Sequence, residues 1–113
     1  FEQRLTSEYL VLVAEVNEEL VGFKIGYAEN DGRFYSWLGG VLPSHRCQGI
    51  AQELLEFQEA WALTRGFSGI SVKSMNKFPS MLRFLIKNGY RVYDVDSFDD
   101  SERERILFVK ELR

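Results

Sequence analysis

The run His45-Arg46-Cys47-Gln48-Gly49-Ile50-Ala51 holds the residue types that bind a polyanion. It follows an apolar run at residues 34–42, closed by Pro43-Ser44, and leads into a long helical pattern, so it falls where a strand turns into a helix. The first turn of a helix leaves backbone N–H groups without intrahelical partners, and the macrodipole places about half a positive charge there. Gly49 and the small Ala51 let a ligand approach the backbone closely, and Arg46 supplies a cation able to bond in two places at once. These features suit a phosphate or pyrophosphate. Taken alone, R-x-x-G-x-A is a weak pattern, and a purely structural alternative stands beside it: Gly49 and Ala51 would simply permit tight packing of helix on sheet. The glycine-rich alternatives fail, because neither G-x-x-x-x-G-K-[ST] nor a G-x-G-x-x-G after a strand is present.

A chain of 113 residues is expected to form one domain, residues 1–113, large enough to bury a substantial core. With 45% hydrophobic and 14% aromatic residues it reads as globular. A formal net charge of −3 argues against broad nucleic-acid binding, which needs a strongly basic face. No apolar run approaches the roughly 18 to 20 residues that span a bilayer. Phe1-Glu2-Gln3-Arg4 lacks the basic-then-apolar start of a signal peptide. A single cysteine excludes an internal disulfide and a cysteine-based metal site, so no metal is expected and a cytoplasmic location is the default. The chain does not begin with Met, which leads us to expect a segment of a longer product.

The elements that position the anion-binding run can be read in order. Residues 1–8 have no clear period. Residues 10–16 and 20–28 read as two strands joined by Asn17-Glu18-Glu19, a hairpin. Alternation places Val21, Phe23, Ile25 and Tyr27 on one face of the second strand, and Gly22, Lys24 and Gly26 on the other. The turn Glu29-Asn30-Asp31-Gly32 returns the chain into an antiparallel third strand, residues 34–42, which Gly39-Gly40 is expected to interrupt as a bulge or a ligand contact. Over residues 49–65, Ala51, Leu54, Leu55, Trp61 and Ala62 recur at helical spacing, and Thr64-Arg65-Gly66 ends the helix. Residues 69–73 form a short strand that must run parallel to the third. A second helix starts at Asn76-Lys77-Phe78-Pro79, buries Leu82, Leu85 and Ile86, and ends at Gly89. Residues 90–95 and 106–112 are two last strands, separated by a charged loop at residues 96–105.

This order, with Val41-Leu42-Pro43-Ser44 before Arg46, Gly49 and Ala51, and with Asn76 and Asn88-Gly89-Tyr90 at the second helix, resembles the GCN5-related N-acetyltransferases (GNAT). Their signature is [QR]-x-x-G-x-[GA] after a V-x-P-type strand end, and the similarity covers roughly residues 10–112. The resemblance implies an α/β fold with a mixed, mostly antiparallel sheet and helices on both faces. It also implies that the strand and two helices that usually precede the hairpin are missing from this segment. Acetyl-CoA would be the co-substrate. The amides of Cys47, Gln48, Gly49, Ile50, Ala51 and Gln52, with Arg46, would hold its pyrophosphate. Gly39, Gly40 and Val41 would pair with the pantetheine arm like an added strand. The third and crossover strands would splay to admit the thioester, and Asn76 would touch the cofactor.

Acetyl transfer needs a neutral amine, an oxyanion stabiliser and a proton for the departing thiolate. A lysine-like amine has a pKa of about 10.4, so deprotonation at pH 7 costs on the order of 4 to 5 kcal/mol without help from a base. The thiolate, with a pKa of about 8.5, leaves tolerably unaided. Two positions depart from the family: its usual tyrosine acid corresponds to Leu85, and the glutamate of some relatives corresponds to Tyr35, a poor base at neutral pH. Glu29, Asp31, Tyr90 and Tyr93 are the other candidates, or a base acts through water; the Val41 amide would support the oxyanion. His45 reads as a solvated turn residue, Cys47 as a provider of its amide, and Tyr35 with Trp37 as acceptor pocket or core. The acidic residues Asp94, Asp96, Asp99, Asp100, Glu102 and Glu104 would attract a cationic amine or merely keep a hairpin tip solvated. The resemblance therefore implies N-acetylation of a small-molecule or protein amine, with no nucleic-acid or membrane partner and a homodimer as one arrangement. The departures keep open a non-catalytic acyl-CoA-binding module, and a structural or dimerising domain is the third reading.

Overall fold

The computed structural model describes residues 9–29, 31–46, 48–75, 79–96 and 105–112. Strands β1 (Tyr9–Val16) and β2 (Glu19–Ala28) form the expected hairpin. Its two-residue loop, Asn17-Glu18, has φ values of 51° and 69°, the positive pair whose twist matches that of the flanking strands. The Asp31 carboxylate accepts the Arg33 amide at 3.0 Å in the next turn, and β3 (Arg33–Val41) runs back antiparallel to β2. Helix α1 (Ile50–Thr64) then carries the chain to β4 (Gly69–Met75), which pairs parallel to β3. After α2 (Pro79–Lys87) come β5 (Arg91–Asp96) and β6 (Arg105–Glu111), and β6 inserts between β4 and β5. Both helices end alike. Gly66 and Gly89 take φ of 90° and 92°, and the amides of Phe67 and Tyr90 each reach back 3.0 Å to the carbonyls of Ala62 and Leu85. This closure satisfies terminal carbonyls and turns Phe67 and Tyr90 into the core.

Register decides which side chains share a face. Leu10, Leu12 and Ala14 lie opposite Gly26, Lys24 and Gly22, and α1 covers this face, with Ile50 and Leu54 closing on Gly22. The main core gathers Phe34, Leu55, Ala62, Ile70, Leu85 and Phe108. A side chain at Gly26 would collide with the Phe34 ring, so its size is fixed by packing. The sheet is mixed and mostly antiparallel, as expected. Helices are expected on both faces; among the described residues α1 and α2 share one, since Leu85 joins Leu55 in a single cluster and Gln52 bonds Asn88. The opposite face leaves Tyr9, Val11, Val13 and Phe23 between 40% and 56% exposed.

Three details differ from the expectation. Val21 does not share a face with Phe23, Ile25 and Tyr27: a bulge between Ala14 and Glu15 in the β1–β2 register leaves it unpaired, and it is buried with Ile50 and Leu54. Gly39 and Gly40 do not interrupt β3, because they stay paired with Lys24 and Phe23; the extra residue is Trp37, skipped between the Ile25–Leu38 and Gly26–Ser36 pairs. In the helices, Ile86 is 60% exposed, with Leu82 and Phe84 packing beside Leu85 instead. Successive helical residues are about 100° apart, so seating Phe84 and Leu85 turns Ile86 outward. Ala51 is likewise exposed, and Ile50 takes the buried place next to it. The charged-loop residues 97–104 lie outside the described residues.

Candidate functional site

The parallel pairing of β3 with β4 runs only from Arg33–Gly69 to Ser36–Val72. Beyond it β3 continues to Val41 with β2 alone, while β4 continues to Met75 with β6 alone. The two strands therefore splay, as the resemblance implies, at the bulge residue Trp37. Along a strand, backbone groups point alternately to either side. From Gly39 to Val41, those not directed at β2 face the splay, where no strand among the described residues meets them. An apolar groove of about 300 Å³, lined by Val13, Val21, Phe23, Gly40, Val41 and Pro43 among others, lies against the β2 side of this segment.

At the end of β3 the chain is stitched tightly. The Leu42 amide donates to the Val21 carbonyl at 2.8 Å, Pro43–His45 forms one 3-10 turn, and Arg46 Nε donates to the Val41 carbonyl at 3.1 Å. Arg46 thus arches over the strand end while its side chain stays exposed. Gly49 is the N-cap of α1 at φ 84°, a left-handed conformation that costs an L side chain about 1 to 2 kcal/mol. Among the described residues, a Cβ there would meet nothing within 4 Å. Tight helix-to-sheet packing is therefore not what Gly49 serves, and with Ala51 exposed the packing alternative fails at both positions. The glycine sets a left-handed turn with open space above it. The first intrahelical bond is made by Glu53 to the Gly49 carbonyl at 3.0 Å, so the amides of Ile50, Ala51 and Gln52 precede the helix ladder, and among the described residues no side chain caps them. Gln48 is exposed, with Nε2 3.4 Å from the Ser44 carbonyl, and the Gln52 side chain is held by Glu56 and Asn88. Cys47 and Asn76 lie outside the described residues.

The catalytic candidates divide between two places. Tyr35 stands where β3 and β4 part, on the face away from the helices, paired with Ser71. The Ser71 hydroxyl donates to Glu29 Oε1 at 2.9 Å. Around Tyr35 are the ring of Tyr27 at 5.3 Å and the ammonium of Lys73 at 5.7 Å, and Trp37 meets Tyr27 at 5.8 Å. Tyr93 lies within the field of the same group: partial burial, then Glu29, Asp31 and Asp94, raise its pKa, and Arg33, 5.5 Å from its ring, opposes them. Tyr90 is elsewhere. It is 3% exposed beneath α1 and donates to Glu59 Oε2 at 2.9 Å, while Lys110 binds the same carboxylate at 3.0 Å. Burial and the Glu59 charge push its pKa up. Leu85, 2% exposed, belongs to the core. The structure thus brings Glu29, Tyr35 and Tyr93 together and leaves Tyr90 apart. His45 bonds Ser44 through Nδ1 at 2.9 Å, consistent with a turn residue.

Sequence reasoning missed two polar groups under α1. Lys24 is pulled down to a pKa of about 8 by burial, against an opposing pull from Glu59. Gln58 is 0% exposed, and neither atom of its carboxamide has a hydrogen-bond partner among the described residues. The available signal for Lys24 was its place between Gly22 and Gly26 on a strand face too small to be an outer one.

The site is a strand splay beside a helix start, and comparison with known proteins identifies the family of the domain that carries it. The model of the acetyltransferase (GNAT) family matches residues 1–90, so the chain belongs to that family. Among curated proteins, the streptothricin acetyltransferase of Escherichia coli is 28% identical over 94 residues, which cover 82% of this chain and 53% of the relative. The chain thus spans about half the length of that relative. Among solved structures, a proposed streptothricin acetyltransferase from Bacillus anthracis, in complex with acetyl coenzyme A, superposes with a TM-score of 0.87. It is 16% identical, and the match covers 97% of this chain and 66% of that one. The PaiA N-acetyltransferase of Thermoplasma acidophilum, in complex with coenzyme A, gives 0.79 at 19% identity, covering 91% and 60%. At these identities the solved structures establish the fold. No helix among the described residues is long and apolar enough to cross a membrane.

Proposed function

We propose that this chain supplies the acetyl-CoA-binding half of an N-acetyltransferase that acetylates an amine of a small molecule or protein. The observation that carries this is Gly49, left-handed with open space where a side chain would sit, at the head of a helix start that no side chain caps. The pyrophosphate would lie against the amides of residues 47–52, with Arg46 beside it. The pantetheine would pair with the free edge of Gly39 to Val41 as an added strand, bringing the thioester into the splay. The acceptor would enter from the opposite face, past Tyr27, Tyr35 and Trp37. Its neutral amine attacks the thioester carbonyl, the carbon–sulfur bond breaks, and CoA leaves as a thiolate that takes up a proton. Glu29, already 2.9 Å from the Ser71 hydroxyl, is our candidate for receiving the amine proton, directly or through water. The Val41 amide is the candidate oxyanion donor. The names of the E. coli and B. anthracis relatives favour an amine of streptothricin as the first acceptor to try, and a cytoplasmic setting fits acetyl-CoA.

Titration calorimetry with CoA and acetyl-CoA, followed by thiol release across a panel of amines, tests the proposal. A second reading, a non-catalytic acyl-CoA-binding module, is favoured by Leu85, which fills the core at the position where the family resemblance implies a tyrosine acid. Binding of acetyl-CoA without turnover on any amine selects that reading, and no binding at all removes both.

A further inference from the structure

Lys24 occupies the α1-covered face of β2, opposite Leu12 on β1 and Gly39 on β3. Its side chain runs across Gly39, with Cγ and Nζ 3.6 and 3.7 Å from the point where a Cβ on that glycine would lie. The amine therefore already hangs over β3, whose far edge borders the splay. A strand added at that edge would lie one strand spacing, about 4.8 Å, beyond β3. Among the described residues no hydrogen bond or ion pair reaches it, and Glu59 on α1 acts on its charge only through the field. That carboxylate is itself committed to Tyr90 and Lys110, and Leu12 and Gly39 carry no charge. Helix α1 runs along β2, from Leu54 over Gly22 to Trp61 against Phe34, the partner of Ala28. Gln58, one turn after Leu54, thus faces the stretch of β2 that holds Lys24. Its buried carboxamide offers one unused donor group and one unused acceptor.

We propose that Lys24 is an internal acyl acceptor, which takes the acetyl group from bound acetyl-CoA when no external amine is present. This rests on the acetyl-CoA reading above. The neutral Lys24 amine forms a bond to the thioester carbonyl carbon, the carbon–sulfur bond breaks, and the surplus amine proton passes to the departing thiolate. The products are Nε-acetyl-Lys24 and CoA. Burial lowers the amine's pKa and so raises its neutral share, and acetylation removes the charge whose burial is unfavourable. The new amide carries an N–H and a carbonyl, the complement of the Gln58 carboxamide.

The test incubates the full chain with acetyl-CoA and no amine, follows the intact mass, and maps the acetyl group by peptide sequencing, with calorimetric CoA binding measured on the same sample. The expected result is one acetyl group per chain at Lys24, ahead of the exposed Lys73 and Lys87. Its rate should climb with pH to about 8 and then level, and excess CoA should suppress it. Lys24→Arg abolishes the gain. CoA binding with Lys24 unmodified overturns the inference while leaving the cofactor reading intact. Acetylation of exposed lysines at the same rate, or insensitivity to excess CoA, also overturns it, since either marks reaction from bulk solution. Failure to bind CoA overturns both.

Discussion

Gln52 Nε2 lies 2.6 Å from Asn88 Oδ1, joining the first turn of α1 to the end of α2 across 36 positions of sequence. Asn88 also donates through Nδ2 to the Phe84 carbonyl at 2.9 Å, so it caps its own helix with one side of the amide and braces the other helix with its other side. The amides proposed to meet pyrophosphate are thereby held by a contact made far from them in sequence.

Asn88→Ala removes both bonds. At about 1 kcal/mol net for each, stability should fall by about 1 to 2 kcal/mol, and CoA should bind several-fold more weakly because α1's first turn loses its brace. Denaturant melts and calorimetry measure the two effects. A stability loss with affinity unchanged would mean that the brace matters only to folding.

At Gly49 the cost is conformational. Gly49→Ala meets no neighbour within 4 Å, so the strain of a left-handed alanine, about 1 to 2 kcal/mol, is the whole expected loss if the turn holds. If the turn instead relaxes to a right-handed geometry, stability recovers and CoA affinity collapses. Gly49→Asn should keep more of both, since asparagine tolerates this region better. Thermal melts with calorimetry on the pair of variants distinguish these outcomes.

Arg46 is exposed and makes one bond, to the Val41 carbonyl. Arg46→Ala should change stability by no more than about 0.5 kcal/mol, yet weaken CoA binding about tenfold, the loss of roughly 1.4 kcal/mol from a charge-assisted contact. Binding by the wild type should also weaken more steeply with added salt than binding by the variant.

The features legible in the sequence were those fixed by a few neighbouring residues. Asn17-Glu18, Asp31-Gly32, Gly66 and Gly89 each announce a turn or helix end through local backbone chemistry, and the strands and helices between them follow. The anion-binding turn was legible for the same reason, since Gly49's left-handed φ and the free amides belong to one short run. What was not legible depends on register. The bulges at Val21 and Trp37 arise from how two strands align, and they decide which face each side chain takes. Lys24 and Gln58 looked like ordinary polar residues because the elements that bury them, β2 and α1, are more than twenty positions apart in sequence. Tyr90 read as a candidate catalytic group, but Glu59 and Lys110, distant in the chain, hold it in a structural network.

The burial of Lys24 makes stability depend on pH. Its pKa is about 8 in the fold and 10.5 as the reference value for an unfolded chain. Between these values the unfolded chain binds more protons than the fold, so stability rises as pH increases. At about 1.4 kcal/mol per pKa unit, the full climb is on the order of 3 kcal/mol. Tyr90 acts in the opposite sense: its raised pKa keeps the folded phenol protonated, and stability is lost once the unfolded tyrosine ionises above about 10. Wild-type denaturation midpoints should climb from pH 8 to 10 and fall beyond, whereas Lys24→Met should be more stable at pH 7 and lack the climb.

Glu29 and Tyr90 allow the proposed chemistry to be separated from structure. Both are acid–base groups held at 2.9 Å by a partner, Glu29 by the Ser71 hydroxyl beside the splay and Tyr90 by Glu59 beneath α1. If Glu29 accepts the amine proton, Glu29→Gln should lower kcat by on the order of 10² or more and leave the KM for acetyl-CoA near its wild-type value. Because glutamine still accepts from Ser71, the fold should tolerate it. The loss should shrink at high pH, where the acceptor amine arrives already neutral. Tyr90→Phe should do the reverse: the buried Glu59–Lys110 pair loses a donor, at about 1 to 3 kcal/mol for a hydrogen bond to a charged group, while the turnover of folded protein is unchanged. Steady-state kinetics across pH with an accepted amine, paired with melts of both variants, read these effects. A Tyr90→Phe enzyme that folds normally but has lost its rate would move the acid–base role away from the splay face and into the network under α1.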